Sequence, residues 1–228
     1  MTLIRTGSLG ILCGVLGLSM VSAEDFGTYR GFRFGSNLAT VAKQAAIDPS
    51  QARLVHQRPA LIQELEWRPS LFNRPEHLLM SDPVENGLLY FDDGRLFRIV
   101  VTYDRDKVEG MTAEDMIAAI SLTYGVATRP AAEIAYQSNY GETAQVLARW
   151  EDSEYSCNLV QTGNRLSFAL VLYSKRVDAL AETAIAEAVR LDKIEAPQRA
   201  IDLRKQQETD SRLALEKARS VNLPNFRP

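Results

Sequence analysis

The sequence predicts an α+β fold: an antiparallel β-sheet built from two helix-then-meander halves, with helices packed on one face and a helical extension at the C-terminus. Three observations carry this. Leu88 to Tyr103 consists of two aromatic and β-branched runs joined by Asp93-Gly94, the pattern of a β-hairpin closed by a type I′ turn. Residues 146–172 hold three more alternating runs separated by turn residues. Before each of these regions lies a stretch with apolar residues at helical spacing.

The chain opens on a leader. Met1 to Ala23 has one early cation (Arg5), an apolar run from Leu9 to Val21 and a small-residue exit at Val21-Ser22-Ala23, which predicts a secretory signal peptide over 1–23 and a mature chain beginning near Glu24. The run is too short and glycine-rich for a spanning helix, which needs about 20 apolar residues. Leu12 precedes Cys13 and the apolar run continues beyond it, so lipidation is not predicted. The mature chain should therefore be periplasmic or secreted, with no transmembrane span. It keeps only Cys157, so an intrachain disulfide is excluded. The formal charge of −3 argues against a general nucleic-acid binder, whose footprint is a basic field.

Residues 24–195 read as the α+β domain, with halves at about 28–103 and 112–173 and a covering helix at 178–195. Thr28 to Phe34 predicts a short opening strand with Phe32 and Phe34 on one face. A helix follows, N-capped by Ser36, with Leu38, Val41, Ala42, Ala45 and Ala46 as its apolar stripe and Asp48-Pro49 as its stop. Arg53–Gln57 and Leu61–Trp67 are strands split by Arg58-Pro59, and 70–86 is a long surface loop. In the hairpin, an Asp93-Gly94 loop pairs Phe91 with Leu96, Tyr90 with Phe97 and Leu88 with Ile99.

Thr112 and Asp115 have capping-box spacing before a helix whose buried face is Met116, Ile117, Ile120 and Tyr124, ending at Gly125. Residues 126–144 carry no clear pattern. In the second meander, loops at Asp152-Ser153 and Gly163-Asn164 place Val146, Ala148, Trp150, Tyr155, Cys157, Leu159, Phe168, Leu170 and Leu172 on one face. From Asp178 a helix presents Leu180, Ala184, Ala188 and Leu191, flanked by Ile185 and Val189, until Pro197 breaks or kinks it. Residues 196–228 form an exposed helical arm and a frayed tail from Asn222.

Little in the sequence carries chemistry. His56 and His77 lack metal-ligand spacing, so no metal site is assigned. Cys157 would need an activating base to be a nucleophile, and its mid-strand position predicts a buried thiol instead. Asp92 and Asp93 serve the turn, Glu64 and Glu66 share a solvated strand face, and GxSxG, P-loop, HExxH and GxGxxG motifs are absent. Trp67, Tyr90, Phe97, Tyr103, Trp150 and Tyr155 could line a groove, although most fit core positions. No catalytic residue, cofactor or cofactor-binding residue is assigned.

The short strand, the Phe34-Gly35 helix start, Phe91-Asp-Asp-Gly-Arg-Leu96, Leu122-Thr-Tyr-Gly125 and the Trp150 meander closing at Leu172-Tyr-Ser174 resemble, over about 28–175, secreted bacterial proteins of uncharacterised function. In outline the arrangement is similar to the SmpA/OmlA outer-membrane assembly lipoproteins and the β-lactamase inhibitor protein. That resemblance implies noncatalytic protein binding through the sheet. The lipobox of the lipoproteins is absent. The functional expectation is an exported noncatalytic protein-interaction or envelope-associated module, partnered by another envelope or secreted protein through its sheet or arm. The alternatives are a small periplasmic hydrolase or thiol-dependent enzyme near the 70–86 loop, and a carrier of a small apolar ligand between sheet and helix.

Overall fold

A computed structural model describes residues 25–69, 82–130, 134–137, 143–162, 167–225 and 227; the predicted leader and His77 lie outside these. Eight strands form one antiparallel sheet: β3 (Arg53–His56), β4 (Ile62–Trp67), β5 (Val84–Asp92), β6 (Arg95–Tyr103), β7 (Ile134–Gln137), β8 (Thr143–Glu151), β9 (Tyr155–Thr162) and β10 (Ser167–Ser174). Their order is β3-β4-β5-β6-β10-β9-β8-β7. Each half is a four-stranded meander, and the last strands of the halves pair at the centre, Leu170 against Val101 and Leu172 against Ile99. This pairing hides one edge of each meander.

Thr28 to Phe34 is not one strand. Arg30 and Gly31 both have positive φ (49° and 89°), so the chain folds back there as β1 (Thr28–Tyr29) against β2 (Phe32–Arg33), as consecutive positive φ values require. Helix α1 (Leu38–Ala45) is capped by Asn37, whose side chain accepts from the Thr40 N–H at 2.8 Å, rather than by Ser36. The Ser36 carbonyl accepts instead from the Leu96 N–H at 2.9 Å, fastening the helix entry to the hairpin turn. The loop expected over 70–86 ends early, since β5 begins at Val84; residues 70–81 lie outside the described ones. Helix α2 (Ala113–Tyr124) has the reciprocal Thr112–Asp115 capping box and buries Met116, Ile117, Ile120 and Tyr124 as expected.

Register departs from expectation at bulges and turns. Phe91 opposes Leu96, but Tyr90 opposes Arg98 and Leu88 opposes Val100, because Phe97 is an extra residue on β6. The bulge lets Phe97 and Arg98 face the same way, toward the C-terminal helix. In the second meander Trp150 opposes Cys157 and Ala148 opposes Leu159, a slip of two from the predicted pairing. The Asp152 carboxylate accepts from the Glu154 and Tyr155 N–H groups, both at 2.7 Å, which moves the turn to Ser153-Glu154. Leu159 likewise opposes Leu170 and Cys157 opposes Leu172. Slips of two keep every face, so Ala148, Trp150, Cys157, Leu159, Phe168, Leu170 and Leu172 share the main core. Val146 is the exception. A bulge at Leu147 turns it to the other face, beside Val160, Ala169 and Val171.

The main core lies between the sheet and α1, α2 and the β1–β2 hairpin. Each Leu or Phe buried there contributes about 1.5–3 kcal/mol. Trp150 ties helix to sheet as well as filling space, its indole N–H lying 3.0 Å from the Gly125 carbonyl. The opposite face receives the start of α3 (Lys175–Asn225), where Ala181 packs with Ile62 and Phe97. Leu180 and Val189, expected on the buried stripe, are 58% and 41% exposed, and Ala181 takes the central contact because its small side chain lets the backbones approach. Pro197 neither breaks nor ends α3, which runs on to Asn225 and so includes the tail predicted to fray. An interior proline costs about 3 kcal/mol. Here Arg199 pairs with Asp192 at 2.5 Å and Glu195 at 3.5 Å, bridging the turns on either side.

Candidate functional site

A cavity of about 390 Å³ opens between the sheet and α2, within the range of small-molecule sites. Its floor includes Leu170 of β10 and Tyr103 at the end of β6. Its roof is the face of α2 that carries Met116, Ile120 and Tyr124, and Ala119 and Thr123 form an exposed rim one helical turn apart. The β6–α2 connection closes one side with Lys107, Val108 and Met111. That connection is held by its own backbone bonds, Val108 N–H to the Asp104 carbonyl at 3.2 Å and Met111 N–H to the Val108 carbonyl at 3.0 Å.

Its polar corner is made by the β1 hairpin. Positive φ at Arg30 turns this side chain along the cavity wall, where both terminal nitrogens donate to Asp82, at 2.7 and 2.9 Å. The Asp82 side chain is 5% exposed and also accepts from the Val84 N–H at 3.0 Å. The guanidinium lies 5.7 Å from the Tyr29 ring centroid and 6.0 Å from that of Trp67, within cation–π range. Burial works to lower the Arg30 pKa, and the bond to Asp82 outweighs it, so the group is held above its ordinary value. Tyr29 is pushed up to about 12, chiefly by burial, and Tyr103 is raised by burial and by its proximity to Tyr29. Both phenols are neutral hydrogen-bonding groups at physiological pH.

The residues weighed from sequence fall elsewhere. Cys157 is fully buried, and desolvation raises its thiol far above the ordinary range, the reverse of what a nucleophile needs. His56 is on edge strand β3, five strand steps from β9, or about 24 Å at normal strand spacing. Asp93 has φ 46° and accepts from the Leu61 N–H at 3.1 Å, so it serves the turn. Glu64 and Glu66 pair with Arg53 and Arg68 at 2.9 and 2.8 Å. Among the described residues no cluster of three or more His, Cys, Asp or Glu could hold a metal ion. Of the six aromatics, only Tyr103 lines the cavity. Tyr29, Arg30, Lys107 and Met111 carry no signal in the sequence, because nothing in their spacing reveals that β1 folds against the β6–α2 connection.

The second feature is the arm. Residues 196–225 of α3 are all exposed, a rod of about 45 Å at helical rise. Ile201, Leu203, Leu213 and Leu215 are 49–72% exposed. Residues 196–228 hold seven Lys or Arg against four Asp or Glu. The arm is therefore +3 and residues 1–195 are −6, which together give the chain's −3. No helix among the described residues is long and apolar enough to cross a membrane. Comparison with family models, characterised proteins and solved structures returned no match.

Proposed function

We propose that this protein is an exported, noncatalytic interaction module whose α+β body presents the C-terminal arm to another envelope or secreted protein. The observation that carries this reading is the exposure of every residue from 196 to 225 while the helix stays continuous through Pro197. A helix with no buried face gains little from tertiary packing, and the exposed Ile201, Leu203, Leu213 and Leu215 offer apolar contact to a partner. The arm's excess positive charge favours an acidic partner surface. The leader predicted over 1–23 supports export. Recovery of partners with the full chain and with a chain truncated before Gln198 tests the reading. Loss of a specific partner on truncation is the expected result, and equal recovery of the same proteins by both would sink the arm's role.

The cavity favours a second reading, a carrier of a small apolar ligand. Its support is a space between sheet and helix with Met116, Ile120 and Leu170 on its walls and one polar corner. The thiol-dependent alternative finds no support at Cys157, which is buried and protonated.

A further inference from the structure

The polar corner of the cavity combines compensated charge with one unsatisfied hydroxyl. Arg30 is neutralised by its two bonds to Asp82. Lys107 is exposed, has a partner of its own, and stands with Arg105 among Asp104, Asp106 and Glu109 on the β6–α2 connection. A charged ligand group would shed its hydration there without meeting an uncompensated counter-charge, which is costly. Of the tyrosines lining the cavity, Tyr29 is engaged by Arg30 and Tyr124 has a partner of its own. Tyr103 differs. Its hydroxyl makes no hydrogen bond among the described residues. Nor is that oxygen sealed in, since the Asp92 carboxylate holds the one fully buried unpaired side-chain oxygen among those residues. The Tyr103 hydroxyl therefore meets open space, and the space this residue lines is the cavity. Burial keeps the phenol protonated, so it has a hydrogen to donate.

We propose that this cavity binds an uncharged, mostly hydrocarbon molecule bearing one hydrogen-bond acceptor, with that acceptor on the Tyr103 hydroxyl and the hydrocarbon against Met116, Ile120 and Leu170. The inference rests on the cavity being a ligand site, and it adds the ligand's neutrality and the place of its polar group. An enclosed donor left unpaired is costly, so a ligand that meets it binds better than one of the same shape without an acceptor. Met111 and Met116 suit a hydrocarbon of variable shape, since their unbranched side chains repack at little cost.

Four probes of one shape test it: propiophenone (a ketone), propylbenzene (no oxygen), phenylpropanoate (an anion) and phenylpropylammonium (a cation). Each is titrated into the purified protein labelled at its methionine methyl groups, and binding is read from the NMR signals of Met111 and Met116 on the cavity wall. Propiophenone is expected to bind about threefold to tenfold more tightly than propylbenzene, the worth of one neutral hydrogen bond. Both ions are expected to bind at least about tenfold more weakly than propiophenone, because neither recovers its lost hydration. Tyr103→Phe is expected to erase the ketone's advantage and leave propylbenzene unchanged, and the retained propylbenzene binding shows that the variant keeps its fold. Binding of either ion as tight as that of the ketone would overturn the ligand's neutrality. Equal binding of ketone and hydrocarbon, or a ketone advantage that survives Tyr103→Phe, would overturn the role of Tyr103 while leaving the cavity as a ligand site. Saturable shifts at Met111 and Met116 from none of the four would overturn the site itself.

Discussion

Arg98 of β6 donates from Nε to the Asp178 carboxylate of α3 at 2.7 Å, across the face of the sheet opposite α1 and α2. A terminal nitrogen of the same guanidinium reaches Glu182, and Arg58 pairs with Glu195 farther along. These ion pairs and the Phe97–Ala181 contact fix where the arm departs. Asp178 is 9% exposed, so removing its partner strands a largely desolvated carboxylate. Arg98→Ala is expected to cost about 2 kcal/mol, below the range for fully buried pairs because the site is partly wet. Urea unfolding monitored by tryptophan fluorescence measures it.

Gly87 is held to glycine by Trp67. The two oppose each other across β4 and β5, and a Cβ on Gly87 would lie 2.8 Å from the indole ring. That ring stands edge-on to Phe32 at 5.3 Å, so it has no free direction to move. Gly87→Ala is expected to destabilise the protein by about 1–3 kcal/mol, the usual cost of overpacking. A shift in the urea midpoint at unchanged slope is the signature.

Tyr29 supplies an alkaline dependence of defined sign. Its ordinary value of 10.0 rises to about 12 in the folded state because burial disfavours the phenolate. Between these values the folded chain keeps a proton that the unfolded chain has lost. Its contribution to stability is complete below pH 10 and declines as pH rises through the folded value. Tyr29→Phe is expected to flatten that part of the stability profile, and ultraviolet difference titration of the native protein to show one fewer late-ionising tyrosine.

Cys157 should be silent in the native protein. A thiol-reactive disulfide reagent at mildly alkaline pH is expected to leave it unmodified and to label it fully in denaturant, because the thiol is both buried and protonated. Rapid native labelling would restore the thiol-dependent alternative.

Legibility followed the range of the interaction. The capping box at Thr112 and Asp115, the Asp93-Gly94 turn and the alternation around Cys157 are local patterns, and each reads directly from neighbouring residues. The β8–β9 register slipped by two because the Asp152 side chain captures two backbone donors, a choice between adjacent turns that propensity does not resolve. The bulge at Phe97 answers to α3, which lies some eighty residues away in the chain. The continuity through Pro197 runs against the local helix-breaking signal. The cavity was least legible, since its polar corner joins Tyr29 and Arg30 to Tyr103 and Lys107 through tertiary packing alone.

The arm can be tested most directly where it is most exposed. A photo-crosslinking side chain placed at Leu203 or Leu215, which are 57% and 72% exposed, should capture one and the same partner in the native envelope. The same side chain at exposed Thr40 on the body should not capture it. Crosslinks from Thr40 with none from either arm position would contradict the account.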